Sequence, residues 1–385
     1  MVGWWGRKKE EDKLVAVINI GAAAVNGGLL FLPNKHNLGA TSSLPRYLVE
    51  ETITFDLPAE KLSLPYYLKS VFTALDQIIA KLNQASEKMG QPNSVTFFLP
   101  SLLVLAQTRS IHLKDEHKIK INEEIINDLA LDAGEKLLAQ HPSIFQELPH
   151  DRSVILEQDI LSAQADGYDL PLYPQGEAKE LVVVTRLILS SRDFIRGLKE
   201  RARRLKPNRP EIMIKTFISA VAPILTESDL LIIDPSGNVT DFVIVKNKKI
   251  LAEGSFPLGE GGLISSLSQK LKTGKSVARS LLSLKEAKVL AAAPTRTLTT
   301  ATEAFRRQWL TALKKSLSVA LGVDFLPATL YLSGGGGATD ALFIDWLKRD
   351  GLDKLTVSRR EPTVLPLANP LWLLASFCDK IKSEL

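Results

Sequence analysis

The sequence predicts an α/β protein in which one strand–turn–strand design occurs twice, far apart in the chain. Three observations lead there. A strand–turn–strand hairpin opens the chain at Leu14–Phe31, and a second of the same design recurs far downstream at Leu230–Val245. Four consecutive glycines, Gly334, Gly335, Gly336 and Gly337, then separate the apolar run Ala328–Leu332 from a helical pattern at Leu342–Leu347. Glycine has no Cβ, so the backbone there can take positive φ and approach a flat ligand closely. A helix that follows such a turn aims its first N–H groups at the ligand. Glycine-rich turns between strand and helix also serve packing alone.

In chain order, residues 1–13 form a polar tail that joins Trp4 and Trp5 to Arg7, Lys8 and Lys9. Indoles favour a membrane interface and cations favour anionic headgroups, so the tail is either flexible or a weak membrane contact. The first hairpin pairs Leu14–Ile20 with a second apolar strand through Gly21, Ala22 and Ala23. Tyr67, Val71, Leu75, Ile78, Ile79 and Leu82 recur on one helical face, and Val95–Pro100 reads as the next strand. Ile121–Leu138 has helical spacing, and Val154–Leu156 and Leu181–Leu189 read as strands. Ile212–Leu225 is expected to be a helix that returns to the first domain.

The second hairpin runs from Leu230 into a turn of Asp234, Pro235, Ser236, Gly237 and Asn238. It continues through Thr240 and Asp241 to Val245, and a further strand follows at Ile250–Leu251. An Asp ending a buried strand can face a metal ion, and the N–H groups of a turn can cradle phosphate. The same carboxylates can simply cap the turn. Glu303–Val319 is an amphipathic helix through Phe305, Trp309, Leu313 and Leu317, preceded by a threonine-rich run expected to be a loop or helix entry.

These motifs, in this order, resemble the actin-like ATPase superfamily: a first phosphate motif, a second phosphate motif and an adenosine motif. Within it the chain looks most like the bacterial FtsA (cell division) and PilM (type IV pilus assembly) branch. The segment Gly254–Ile264, with its Pro257-Leu258-Gly259 core, is similar to one in that branch. The strands around Asp166-Gly167-Tyr168 resemble its inserted SHS2-type subdomain.

The resemblance implies a two-domain actin-like ATPase fold of duplicated ribonuclease H-like domains with an inserted α+β subdomain. It divides the chain into a tail at 1–13, a first domain at 14–94 completed by 206–227 and 360–385, an insert at 95–205 and a second domain at 228–359. It also implies ATP and Mg²⁺ at Asn19, Gly21, Ala22, Ala23, Asp234, Ser236, Gly237, Asn238, Thr240 and Gly334–Gly337, with Asp234 facing the metal.

The departures bear on chemistry. Asn19 stands where the superfamily has Asp, and Ala22-Ala23-Ala24 replaces a hydroxyl-rich turn. Pro235 lacks an N–H, and Ser236 and Asn238 replace glycines. The 212–225 segment offers only Lys215, Thr216 and Ser219 where a water-activating group is common. Phosphoryl transfer needs metal and positioned donors, so weak or no hydrolysis is expected, with no catalytic residue assigned. The implied role is a scaffold at the inner face of the bacterial membrane that self-associates and meets divisome or pilus proteins. The alternatives are a small-molecule kinase of the sugar or acetate type, opposed by Asn19, and a chaperone-like ATPase, for which no peptide domain remains.

Composition agrees with a folded chain of this size. The 385 residues are 45% hydrophobic and 24% charged, with net charge +5. No long apolar run suggests a membrane span. The one cysteine, Cys378, cannot form an internal disulfide and suits a reducing compartment, in keeping with the cytoplasmic placement that the resemblance implies. The histidines are scattered, which opposes a zinc site. Basic residues crowd from Arg192 to Arg209. They read either as a solvated helix face or as a surface for an anionic partner, but not nucleic acid, since no aromatics interleave with them.

Overall fold

The computed structural model describes residues 13–21, 24–32, 46–55, 63–145, 147–148, 150–170, 175–205, 211–217, 220, 228–235, 237–289, 292–321, 326–327, 329–332, 338–349 and 363–366. The N-terminal tail, Ala22, Ala23, Ser236, Ser219, Gly334–Gly337 and Cys378 lie outside them.

The first domain is built on β1 (Lys13–Ile20), β2 (Ala24–Leu32), β3 (Arg46–Thr54), β4 (Ser94–Leu99) and β9 (Glu211–Thr216). The second uses β10 (Leu230–Asp234), β11 (Thr240–Lys246), β12 (Lys249–Phe256), β13 (Thr329–Leu332) and β14 (Thr363–Pro366). The sheet orders are β3-β2-β1-β4-β9 and β12-β11-β10-β13-β14. Each is an antiparallel three-strand meander extended by two parallel strands on the side of its first strand. The two domains are therefore duplicates in topology.

Strand alternation explains why β1 and β10 are apolar on both faces. Leu14, Ala16, Ile18 and Ile20 pack on α1 (Leu64–Met89), whereas Val15 and Val17 meet Leu230, Ile232, Val243 and Val245 of the other sheet. Leu231 and Ile233 point the opposite way, into a core shared with α4 (Glu260–Leu271), α5 (Lys275–Glu286), α6 (Ala292–Leu321) and α7 (Ala338–Arg349). A strand covered on both sides reads as a continuous hydrophobic run. Helix α1 can lie close to the first sheet because Gly27 has no Cβ to meet Ile78. Its buried stripe matches the sequence spacing, and it ends at Gly90 with φ 95°.

The insert is a four-stranded sheet, β5 (Val104–Ile121), β8 (Gly176–Ser191), β6 (Ser153–Ala165) and β7 (Tyr168–Asp169) in that order, covered by α2 (Glu123–Gln140). Asn122 caps α2 by accepting from Ile125 N at 2.9 Å. α3 (Arg192–Leu205) follows β8 and packs against α1. There Arg201 and Arg204 bind Asp76.

Several placements differ from the sequence expectations. Ile212–Thr216 is not helical but forms most of β9, in parallel register with β4; Ile212, Met213 and Ile214 are apolar and extended like their neighbours. Val95–Leu99 belongs to β4 in the first sheet, so the inserted sheet begins only at β5. The strand after residue 360 joins the second sheet beside β13, not the first domain. The threonine-rich run is helical throughout: Thr299, Thr300 and Thr302 donate their hydroxyls to carbonyls one turn back, which removes their cost as polar groups.

One side chain ties the three sheets. Arg186 of β8 is 1% exposed. Its Nε and Nη2 each donate to Glu253 of β12 at 3.0 Å, and its Nη1 donates to Asp159 of β6 at 2.8 Å. Glu157, also on β6, lies 3.4 Å from Nη1 and accepts from Thr216 N of β9 at 2.7 Å. Replacing Arg186 leaves buried carboxylates without their cation. Arg186→Met is expected to lower stability by about 3–5 kcal/mol. The loss should be smaller at pH 5 than at pH 8, because protonation relieves the repulsion; chemical denaturation at the two pH values measures both effects.

Candidate functional site

The duplicated hairpins place their polar residues at matching points. On the first, Asn19 sits opposite Asn26; on the second, Asp234 sits opposite Asp241. Asn19 continues the row of Val15 and Val17, and Asp234 the row of Leu230 and Ile232. Both rows face the other sheet, so the polar residues emerge where the two sheets part. Asn19, Gly21, Asp234 and Asp241 line one cleft there with Pro100, Ser101, Leu102, Phe217 and Val239.

Asp241 spans this cleft. Its carboxylate accepts from the Ser101 hydroxyl, and from Ser101 N at 3.3 Å. Burial pushes its pKa up to about 6; the two Ser101 hydrogen bonds oppose this and nearby Glu253 adds to it. Glu253 is itself raised by burial, with Arg186 pulling it back. On the other wall, Tyr67 donates to Gly21 O at 3.0 Å. Burial, and then Asp241, push the phenol well above its usual range, so it stays protonated and fixes the first turn. Asn26 accepts from Thr52 at 2.8 Å and serves the sheet.

The second turn is fastened from behind. Pro235 O accepts from Glu260 N at 2.7 Å and Gly237 O from Gly261 N at 2.5 Å, so the turn carbonyls satisfy the first N–H groups of α4. Gly259 and Gly261 permit this approach: a Cβ on Gly259 would lie 2.7 Å from Gly237 O, and one on Gly261 2.9 Å from the same atom. This is the physical reason for the glycines around Pro257-Leu258-Gly259.

The structure thus brings Asn19, Gly21 and Asp234 together at the cleft. Gly237 and Asn238 are in the turn, with Gly237 at φ 65°. Thr240 is not available there. It is fully buried, donates to Leu258 O and accepts from Trp309 Nε1 at 2.8 Å, so it holds the core of the second domain together. Lys215 Nζ lies 3.9 Å from Glu157, and the backbone N–H of Thr216 donates to the same carboxylate at 2.7 Å.

No motif or spacing points to Ser101 or Glu253 as site residues, and the helical pattern places Tyr67 in the core without its link to Gly21. An arginine inside the apolar run Leu181–Leu189 was a readable sign of a buried ion pair. Ser101 carried no such sign.

Among the described residues no three or more His, Cys, Asp or Glu side chains are grouped to hold a metal. Mg²⁺ needs less from the protein, since one or two carboxylates suffice when phosphates and water complete the shell. Asp234 and Asp241 fit that requirement. Burial disfavours the charged form of Asp241, and a cation beside it would favour that form. Asn19 adds an amide but no charge.

The folded-state pKa of Asp241 lies above its unfolded value, so its contribution to stability is full below about pH 4 and is lost as pH rises through about 6. Asp241→Asn is expected to flatten that slope and to stabilise the protein at pH 8 by about 2–3 kcal/mol. Thermal melts from pH 4 to 8 in the absence of nucleotide check it.

No family model matches this sequence, and no curated protein matches it. Solved structures do. The PilM–PilN type IV pilus biogenesis complex aligns with TM-score 0.56 at 14% identity, over 93% of this chain and 89% of that one. The ethanolamine utilization protein EutJ from Carboxydothermus hydrogenoformans aligns at 0.46 and 10% identity, over 97% and 90%. The cytoplasmic domain of EpsL, an inner membrane component of the type II secretion system of Vibrio cholerae, aligns at 0.42 and 10%, over 95% and 94%. At such identities the likeness is one of architecture. With its duplicated sheets and the cleft between their hairpins, the chain has the α/β actin-like ATPase fold.

Proposed function

We propose that the protein is a scaffold of the PilM or FtsA type that holds ATP with Mg²⁺ between its two hairpins and hydrolyses it weakly or not at all. The observation that carries this reading is the uneven cleft. Asp234 and Asp241 line it from the second domain, whereas the matching first-domain position is the neutral Asn19.

Bound metal would neutralise phosphate charge beside Asp234 and Asp241. The chain's own groups would do the rest. Gly21, held by Tyr67, would let backbone approach the phosphates, the Gly237–Asn238 turn would offer them N–H groups, and Gly334–Gly337 would receive the adenosine. Hydrolysis needs a group that orients water. Residues 212–216 carry no acid or amide that could do so, and Lys215 is paired with Glu157.

The scaffold would act at the inner face of the bacterial membrane, self-associating and meeting a membrane-associated pilus or division protein, with Trp4, Trp5 and the following cations as a weak lipid contact. The fold likeness to the PilM of a pilus biogenesis complex supports the pilus branch. Among the described residues no helix is long and apolar enough to cross a membrane.

Calorimetric titration with ATP, with and without Mg²⁺, tests the cleft. Micromolar binding that needs Mg²⁺ and weakens at least tenfold in Asp234→Ala is expected; no binding at millimolar ATP would sink the nucleotide reading. Asn19→Asp restores the missing charge. It is expected to tighten Mg²⁺-dependent binding several-fold, while steady-state phosphate release stays near background in both proteins.

A further inference from the structure

Two outer helices carry opposite charge beside exposed apolar side chains. On α2, Glu124, Asp128, Leu131 and Glu135 recur at helical spacing and form one outward stripe, with Leu131 57% exposed. None of these three carboxylates has an ion-pair partner among the described residues. The helix has Glu123, Glu124, Asp128, Asp132 and Glu135 against a single cation, Lys136, which pairs with Asp132.

The segment from Lys270 to Val289, which includes α5, has the opposite character. Its cations are Lys270, Lys272, Lys275, Arg279, Lys285 and Lys288, against one acid, Glu286. Arg279 pairs with Glu260 and Lys285 with Glu286. Lys270, Lys272 and Lys288 have no ion-pair partner among the described residues. Ala278 and Leu282 face inward, while Val277, Leu284 and Val289 are 48%, 43% and 73% exposed.

We propose that these surfaces are the two halves of one contact between copies of this chain, α2 of one copy lying on α5 of the next. Charge complementarity and the exposed apolar residues at the centre of each stripe favour this occupant. A lipid surface fits less well, because Ser276, Ser280 and Ser283 interrupt the exposed face of α5 and no aromatic residue anchors it. The contact is heterologous: each copy offers both halves, so it propagates as a row or closes as a ring. One helix pair buries less than the roughly 1,200 Å² of a standard specific interface, so association is weak and falls with salt. The inference deepens the assembly part of the scaffold reading by naming its surface, and it does not depend on nucleotide.

Sedimentation velocity of the full chain over a concentration series, at low and high salt, tests it. Wild type should associate at low salt and not at high salt. Asp128→Lys with Glu135→Lys should weaken association at least tenfold, and so should Lys272→Glu with Lys288→Glu. All four changes together should restore it, as should mixing the two double variants. All positions are exposed, so folding should survive; a circular dichroism spectrum confirms that. A monomeric wild type at low salt overturns the proposal, as does association that neither pair of changes affects. If only the lysine changes matter, and they abolish binding to phosphatidylglycerol vesicles rather than self-association, the surface belongs to lipid and the proposal fails. Intact ATP binding in every variant would separate this outcome from failure of the cleft.

Discussion

The arrangement of the three sheets depends on a buried cation at their junction. Arg186 comes from the insert, Glu253 from the second domain, and Glu157 passes the link to the first domain through Thr216. A guanidinium is suited to this, since its planar fork can serve several carboxylates at fixed angles without losing its charge. Apolar packing between the sheets supplies attraction but little direction. The arginine supplies direction: any sliding of one sheet past another breaks a two-pronged contact of good geometry. The same group shapes the cleft, because Glu253 stands close enough to Asp241 to make that carboxylate harder to ionise.

Burial and hydrogen bonding act in opposite senses on Asp241. Desolvation favours its neutral form, and Ser101 favours its charged form. The residue therefore sits near its midpoint in mildly acidic solution, able to accept from Ser101 or to meet a cation. Ser101 belongs to the short stretch joining the first sheet to the insert, so the cleft, the insert and the second domain meet at one hydrogen-bonded contact.

Much of this fold was legible in the sequence. The hairpins at Leu14–Phe31 and Leu230–Val245, the α1 stripe and the helix through Trp309 follow from periodicity that tertiary packing then reinforces. The division of the chain was less legible. Val95–Leu99 reads as a strand in isolation, but only its parallel partners β1 and β9 assign it to the first sheet. Ile212–Thr216 was misread because a short apolar run fits either a buried strand or a helix. In the site, Asn19 and Asp234 stood out because they end apolar strands. Thr240 matched a pattern, yet its hydroxyl is taken by Leu258 and Trp309, partners far along the chain. Ser101 and Tyr67 act through contacts that no local spacing records.

The uneven charge of the two hairpins makes the cleft one-sided. A cation-bearing ligand would find its anchors on the jaw formed by β10 and β11 alone, since the opposing jaw ends in amides. The hairpin of β1 and β2 would add shape and amide hydrogen bonds but no charge, so the charge of any ligand would be read from one wall of the cleft alone.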